Sequence, residues 1–335
     1  MDRIYVQTND AERNEIAAFD RAADGSLTPS GRFETGGRGT GAPHLPSQSS
    51  VALNAGASLL LVTNGGSDEL TLFAVTQEGV ERTGLVATGG ARPTSVAVHG
   101  EVAYVLNNGS PGIAGFSLAE GALKPLEGSA RALAADADPA QIAFSPDGRT
   151  LVVTERGTNS ITTFAVERGF AGEPQTIASS GATPYGFDFS GDSLIVTEAF
   201  GGEVGAAAAS SYSLGDGRLA PVSASVADTR SEVCWAAVTK DGRFVYVTNF
   251  GDGTISSYAI GDDGSLELSN AVAASTRLGE KGVRDEAITA DGRFLYALDA
   301  DARRVFGWKV GDDGSLVPVG DADGLPETVA GMAAS

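Results

Sequence analysis

The strongest constraint on this chain is that it repeats itself. Residues 244–266 read FVYVTNFGDGTISSYAIGDDGSL and residues 294–316 read FLYALDADARRVFGWKVGDDGSL. Each copy holds a β-branched and aromatic run, a turn, a second alternating run and a closing Asp-Gly, the pattern of paired strands. The same phrase, more diverged, occupies 4–27, 59–80, 100–123, 147–169 and 191–219. The polar residue that ends the first strand of each unit falls at Asn9, Asn64, Asn107, Glu155, Glu198, Asn249 and Asp299, in steps of 55, 43, 48, 43, 51 and 50 residues. Short strands at this period predict a β-propeller. Helical solenoids have similar periods, but their units lack the alternation and the Gly-Asp turns.

One more short apolar run precedes each later unit, as in SSVALN, TSVAVH, AQIAFS, YGFDFS, WAAVTK and DEAITA. The expected blade therefore has an innermost strand A, then B, C and an outer D. The first unit begins directly at strand B, and VAGMAAS at 329–335 carries the missing strand A pattern. The expectation is an all-β, seven-bladed β-propeller of four-stranded antiparallel blades. Its ring is closed by the C-terminal strand joining the N-terminal blade, which removes an open sheet edge. Residues 1–335 read as a single propeller domain. Asp-Gly pairs at 147–148, 241–242 and 291–292 would turn A into B, and those at 24–25, 263–264 and 313–314 would turn C into D.

Hydrophobic residues make up 42% of the chain, enough for a large core. Net charge is −20, which argues against binding nucleic acid or anionic membranes. No apolar run approaches the roughly 18–20 residues of a membrane span. MDRIYVQTND has neither the basic nor the apolar region of a signal peptide. Cys234 is the only cysteine, so an intramolecular disulfide is impossible and a thiol metal cluster is not expected. These features lead us to expect a cytoplasmic protein, a monomer or weak homodimer, needing no cofactor.

Strand geometry brings the exits of B and the entrances of A to one end of the ring, around a shared funnel. Most B exits are Asn, whose side chain can tie a strand end to its own turn. Glu155 and Glu198 break that pattern on adjacent blades. Two carboxylates near one channel would repel, raising one toward the range useful for general acid–base work. Alternatively they pair with Arg156 or Arg284. Tyr185 and Trp235 would form an apolar wall or plug the channel, and Gln141 and Asp285 occupy other A entrances. His44 lies in the Gly-rich stretch GRGTGAPHLPSQ, which could cover the funnel. Glu155, Glu198, Asn249 and Asp299 together could offer oxygen ligands to Ca²⁺, although no EF-hand ladder is present; the metal-free reading is preferred.

With the units aligned through SPDGRTL, TKDGRFVYVTN, TADGRFLYALD and the closing DDGSL, the chain resembles the seven-bladed lactonase propellers, the 6-phosphogluconolactonase and 3-carboxymuconate-cyclase group, over essentially its full length. Such phrases also occur in YVTN-type surface propellers. The resemblance implies metal-independent opening or closing of a small anionic lactone ring. It places a catalytic Glu at Glu198 and an Arg at Arg284. Where that group shows Pro-Arg-His this chain has Pro184-Tyr185-Gly186, and expected His and Arg positions fall on Ala140 or Gln141 and on Phe250. Glu155, Arg156 and Trp235 are candidate substitutes, with Arg156, Tyr185, Gln141, Asn249, Asp285 and His44 placed around the substrate. Two functions stay open: a lactone hydrolase or cycloisomerase acting through a carboxylate, and a non-catalytic propeller binding a small molecule or protein. No G-x-S-x-G elbow occurs, so no serine triad is argued.

Overall fold

The computed structural model describes residues 2–42, 45 and 47–335. Among these residues the strands form seven antiparallel sheets arranged as consecutive blades. Strands B are buried along almost their whole length, as in Leu59–Asn64, Thr150–Glu155, Ser193–Glu198, Phe244–Asn249 and Phe294–Asp299. A strand B is covered on both faces by neighbouring blades. Its sequence is therefore a continuous apolar run (LLLVTN, SLIVTE, FVYVTN) rather than an alternation. Strands D, such as Leu27–Glu34 and Arg218–Ala227, form the outer rim and are largely exposed.

The ring closes as the sequence predicts. Met332–Ala334 pairs with Arg3–Gln7 as the inner strand of blade one, with Tyr5 opposite Ala333. A second latch uses the repeat itself. Tyr104, Tyr246 and Tyr296, from strands B of blades three, six and seven, donate hydroxyl bonds to the carbonyls of Gly169, Gly314 and Gly25 in the C–D turn of the next blade. The tyrosine of each phrase and the turn that closes the following one are thus partners across a blade junction. Gly25, Gly148, Gly242, Gly264, Gly292 and Gly314 all adopt the positive φ their turns require.

Blade three departs from the four-strand expectation. Its outer strand is broken into Lys124–Pro125 and Arg131–Ala132. The intervening LEGSA carries no alternation, Pro125 lacks an N–H donor, and Gly128 takes a positive φ.

Candidate functional site

Five of the inner strands carry a register irregularity near their entrance, between Pro93 and Ser95, Pro139 and Gln141, Pro184 and Phe187, Val233 and Ala236, and Val283 and Glu286. A bulge re-aims side chains and ends pairing. In blades five to seven the equivalent residues are Tyr185, Cys234 and Arg284. The residue before the strand is held in the left-handed region at Arg92, Asp138, Thr183 and Glu232. That recurrence makes the conformation a property of the repeat, one that sets four side chains around the mouth of the ring.

On the side of blades four to seven these residues enclose a cavity of about 460 Å³, lined by Arg156, Thr183, Tyr185, Glu232, Cys234, Phe250 and Arg284 and floored at one edge by Gly201 and Gly202. Both arginines lie over aromatic faces. The Arg156 guanidinium is 4.9 Å from the Tyr185 ring centroid and the Arg284 guanidinium 4.5 Å from that of Phe250. Arg156 is steadied by Asp138 at 2.7 Å and donates to the Tyr185 hydroxyl at 3.3 Å. Arg284 stands 4.0 Å from Asp301, and burial lowers its pKa, so an anion is a favourable neighbour for it. Burial also raises the Tyr185 hydroxyl and pushes the Cys234 thiol up to about 12, which leaves neither poised as a nucleophile. Glu232, held by Lys281 at 2.6 Å, is the carboxylate that lines this cavity.

The centre of the ring is occupied. Gln48 donates to the carbonyl of Ala236 at 2.9 Å and accepts from its N–H at 3.2 Å, reaching blade six. Ser47 donates to the carbonyl of Ala140 in blade four. The described start of the Gly-rich stretch, residues 37–42, lies on blades one and two, where a Cβ on Gly37 would meet Asn64 at 2.5 Å and one on Gly39 would meet the Asn9 backbone at 2.1 Å. His44 lies outside the described residues.

Of the residues expected from sequence, Arg156, Tyr185 and Arg284 are brought together in this cavity. Trp235 is buried beneath it, its ring 4.8 Å from Tyr185. Gln141 and Asp285 are staples between blades. Gln141 bonds both the N–H and the carbonyl of Phe187, and Asp285 accepts from the N–H of Met332 at 3.1 Å. Asn249 donates to Thr254 and Ser256 within its own blade.

Glu198 is fully buried and does not line the cavity. Its oxygens accept from the Gly181 N–H at 2.7 Å, Ser210 and Ser225 at 2.6 Å each, and Ser179 at 3.4 Å. Glu155 turns into its own blade, accepting from Thr158 at 2.8 Å and Thr162 at 2.5 Å. The two acids therefore do not share a funnel, and neither pairs with Arg156 or Arg284. Nor do the oxygens considered for Ca²⁺ converge. Among the described residues no group of three or more His, Cys, Asp or Glu side chains is placed to hold a metal ion.

Glu232 and the rim role of Phe250 are not evident from the repeat pattern. Their signal was positional, since Glu232 immediately precedes a strand A and Phe250 immediately follows a strand B. At the opposite end of blades four and five a wider hollow of about 540 Å³ is walled by turn residues, among them Asp147, Asp192 and Asp216. Among the described residues it has no aromatic wall and no pair of converging cations.

A closed seven-bladed ring with an off-axis hollow at the entrances of its inner strands defines the class, a β-propeller with a plugged axis and a cationic, aromatic rim pocket. The chain belongs to the family described as lactonase, 7-bladed beta-propeller, which it matches over residues 2–206 and 196–328. Among solved structures it is similar to a protein from Lactobacillus plantarum (17% identity, all of both chains covered, TM-score 0.79). It is also similar to a candidate 6-phosphogluconolactonase from Bacteroides uniformis (18% identity, 98% of each chain, TM-score 0.76). A third is the periplasmic gluconolactonase of Pseudomonas aeruginosa (19% identity, 98% of each chain, TM-score 0.72). At these identities the likeness speaks for the fold. No curated protein matches the sequence.

Proposed function

We propose that the protein binds a small anionic cyclic ester in the rim pocket of blades four to seven and opens its ring with water, or closes it in reverse. One observation carries this reading: Arg156 and Arg284, each backed by an aromatic ring, face a single cavity of about 460 Å³ in a member of the lactonase propeller family. Guanidinium groups suit a carboxylate or phosphate, and a buried one is also suited to an oxyanion. Tyr185 and Phe250 would wall the ring. Glu232 would take a proton from the attacking water. Oxygen then adds to the carbonyl carbon, the oxyanion faces Arg284, and the ring C–O bond breaks as the proton passes to the leaving oxygen. Glu232 takes the role that the family resemblance gave to Glu198, because Glu198 is enclosed by four donors and lies away from the cavity.

That same enclosure favours a second reading, a propeller that binds an anionic small molecule without turning it over. Proton release at constant pH on charged and neutral lactones separates the two. The enzyme reading expects turnover of a charged lactone that Glu232→Gln abolishes while ligand still binds, and loss of binding in Arg284→Leu. Binding of hydroxy-acid anions at the rim with no turnover of any lactone would leave the binding propeller.

A further inference from the structure

Six of the seven B exits, all but Asn9, share a junction whose chemistry is regular except at one place. In five blades the residue that follows strand D sends its N–H to the carbonyl just before strand C: Thr35 to Asn14, Thr88 to Asp68, Ser179 to Asn159, Asp228 to Ala207 and Thr276 to Gly253. Each has a polar side chain, and that side chain serves the B exit of the following blade. Thr35 donates to Asn64, Thr88 to Asn107, Ser179 to Glu198 and Thr276 to Asp299. Asp228 reaches Asn249 through the Ser256 hydroxyl. In blade three the same backbone bond, to Pro111 at 3.1 Å, is made by Leu133. The B exit it faces is Glu155.

Replacing the hydroxyl with a leucine leaves a carboxylate short of donors beside a cavity of about 170 Å³, bordered by Leu133, Glu155, Thr158, Ser160, Pro174 and Thr176 among others. This cavity shares no residue with the rim pocket. Glu198 and Asp299, at the same repeat position, are saturated by four donors and by an arginine respectively. Glu155 is 3% exposed, and no lysine or arginine pairs with it among the described residues.

The hydroxyl protons around it are already committed. Thr158 and Thr162 give theirs to Glu155. Thr162 has none left, so the Thr162–Thr176 contact at 2.8 Å uses the Thr176 proton. Ser160 donates to the Thr158 carbonyl at 3.2 Å. The cavity therefore presents oxygen lone pairs and one carboxylate, with apolar walls from Leu133 and Pro174. Its complement is a group with donors and no acceptors on an apolar stem, which is a primary ammonium. A dry cavity of about 150 Å³ holds one benzene, so the space fits a stem of a few carbons.

We propose that the cavity at the junction of blades three and four binds a short alkylammonium, either a free amine or a lysine side chain, on Glu155. Titration of the full chain with n-butylammonium, n-butanol and Nα-acetyl-lysine methylamide, followed by calorimetry and NMR, tests it. Butylammonium should bind saturably in the millimolar range or tighter, and butanol should not bind. Glu155→Gln should weaken the ammonium by about tenfold or more. So should Leu133→Thr, which restores the donor present in the other junctions and is expected to fold normally. Tighter binding of the lysine derivative assigns the site to a lysine side chain, and weaker binding assigns it to a free amine. Equal binding of butanol, unchanged binding in Leu133→Thr, or no saturable binding would overturn the proposal.

Discussion

The two sides of the ring are built from the same repeat and do different things with it. On blades one to three the B exits Asn9, Asn64 and Asn107 are covered by a glycine-rich strap or by neighbouring hydroxyls, and Gln48 is carried from this side into the axis. On blades four to seven the same frame supports Arg156, Tyr185, Glu232, Phe250 and Arg284 around a cavity. Strand geometry is common to both. What differs is the residue at the bulged entrance of strand A, where Thr94 in blade three stands against Tyr185, Cys234 and Arg284 in blades five to seven. A propeller fixes where side chains are offered, and local substitutions decide whether an offer becomes a site.

That contrast can be broken experimentally. The largest effect on the site should come from Arg284→Leu, which is expected to reduce binding or turnover of a charged lactone by about a hundredfold with little change in fold; equal losses on neutral lactones would leave it the oxyanion alone and deny it the substrate's own anion. The largest effect on stability should come from Glu198→Leu. It strands four donors and should cost roughly 3–5 kcal/mol in urea unfolding, an effect on stability rather than on pH–rate behaviour.

Burial raises Asp285 to about 8 and lifts Glu286 well above its ordinary value. Both Glu286 oxygens lack hydrogen-bond partners among the described residues. The folded state therefore holds protons that the unfolded chain has lost. Stability from this pair is full below about pH 4, and it declines as pH rises toward the folded values. Urea midpoints measured from acid to mildly alkaline pH should fall, and Glu286→Gln should flatten the decline. The smallest effect, about 1 kcal/mol, is expected for Tyr296→Phe, which removes one latch to Gly25. A loss of several kcal/mol would mean that this latch dominates ring closure.

Much of the architecture was legible because a strand enclosed by two blades must be apolar throughout, and because Asp-Gly turns punctuate it at a fixed period. Ring closure could be read from a surplus strand at one end of the chain and a missing one at the other. The site was only partly legible. Arg156, Tyr185 and Arg284 stood at positions that strand geometry assigns to the rim. The direction of Glu155 and Glu198 could not be read, because the period allows an acid at a B exit to face either the funnel or its own blade. The hydroxyls that settle the matter, Ser210, Ser225 and Thr162, come from other strands.

The sequence by itself determined the number of blades, the burial of strands B and the means of closure, since these follow from period, polarity and turn chemistry. Only the tertiary structure decided that Gln48 fills the axis, that Glu232 rather than Glu198 faces the rim cavity, and that Leu133 leaves Glu155 beside a second one. These outcomes depend on which groups far apart in the chain meet across a junction. Periodicity fixes each blade, but the contacts between blades are set by single residues that the period does not constrain.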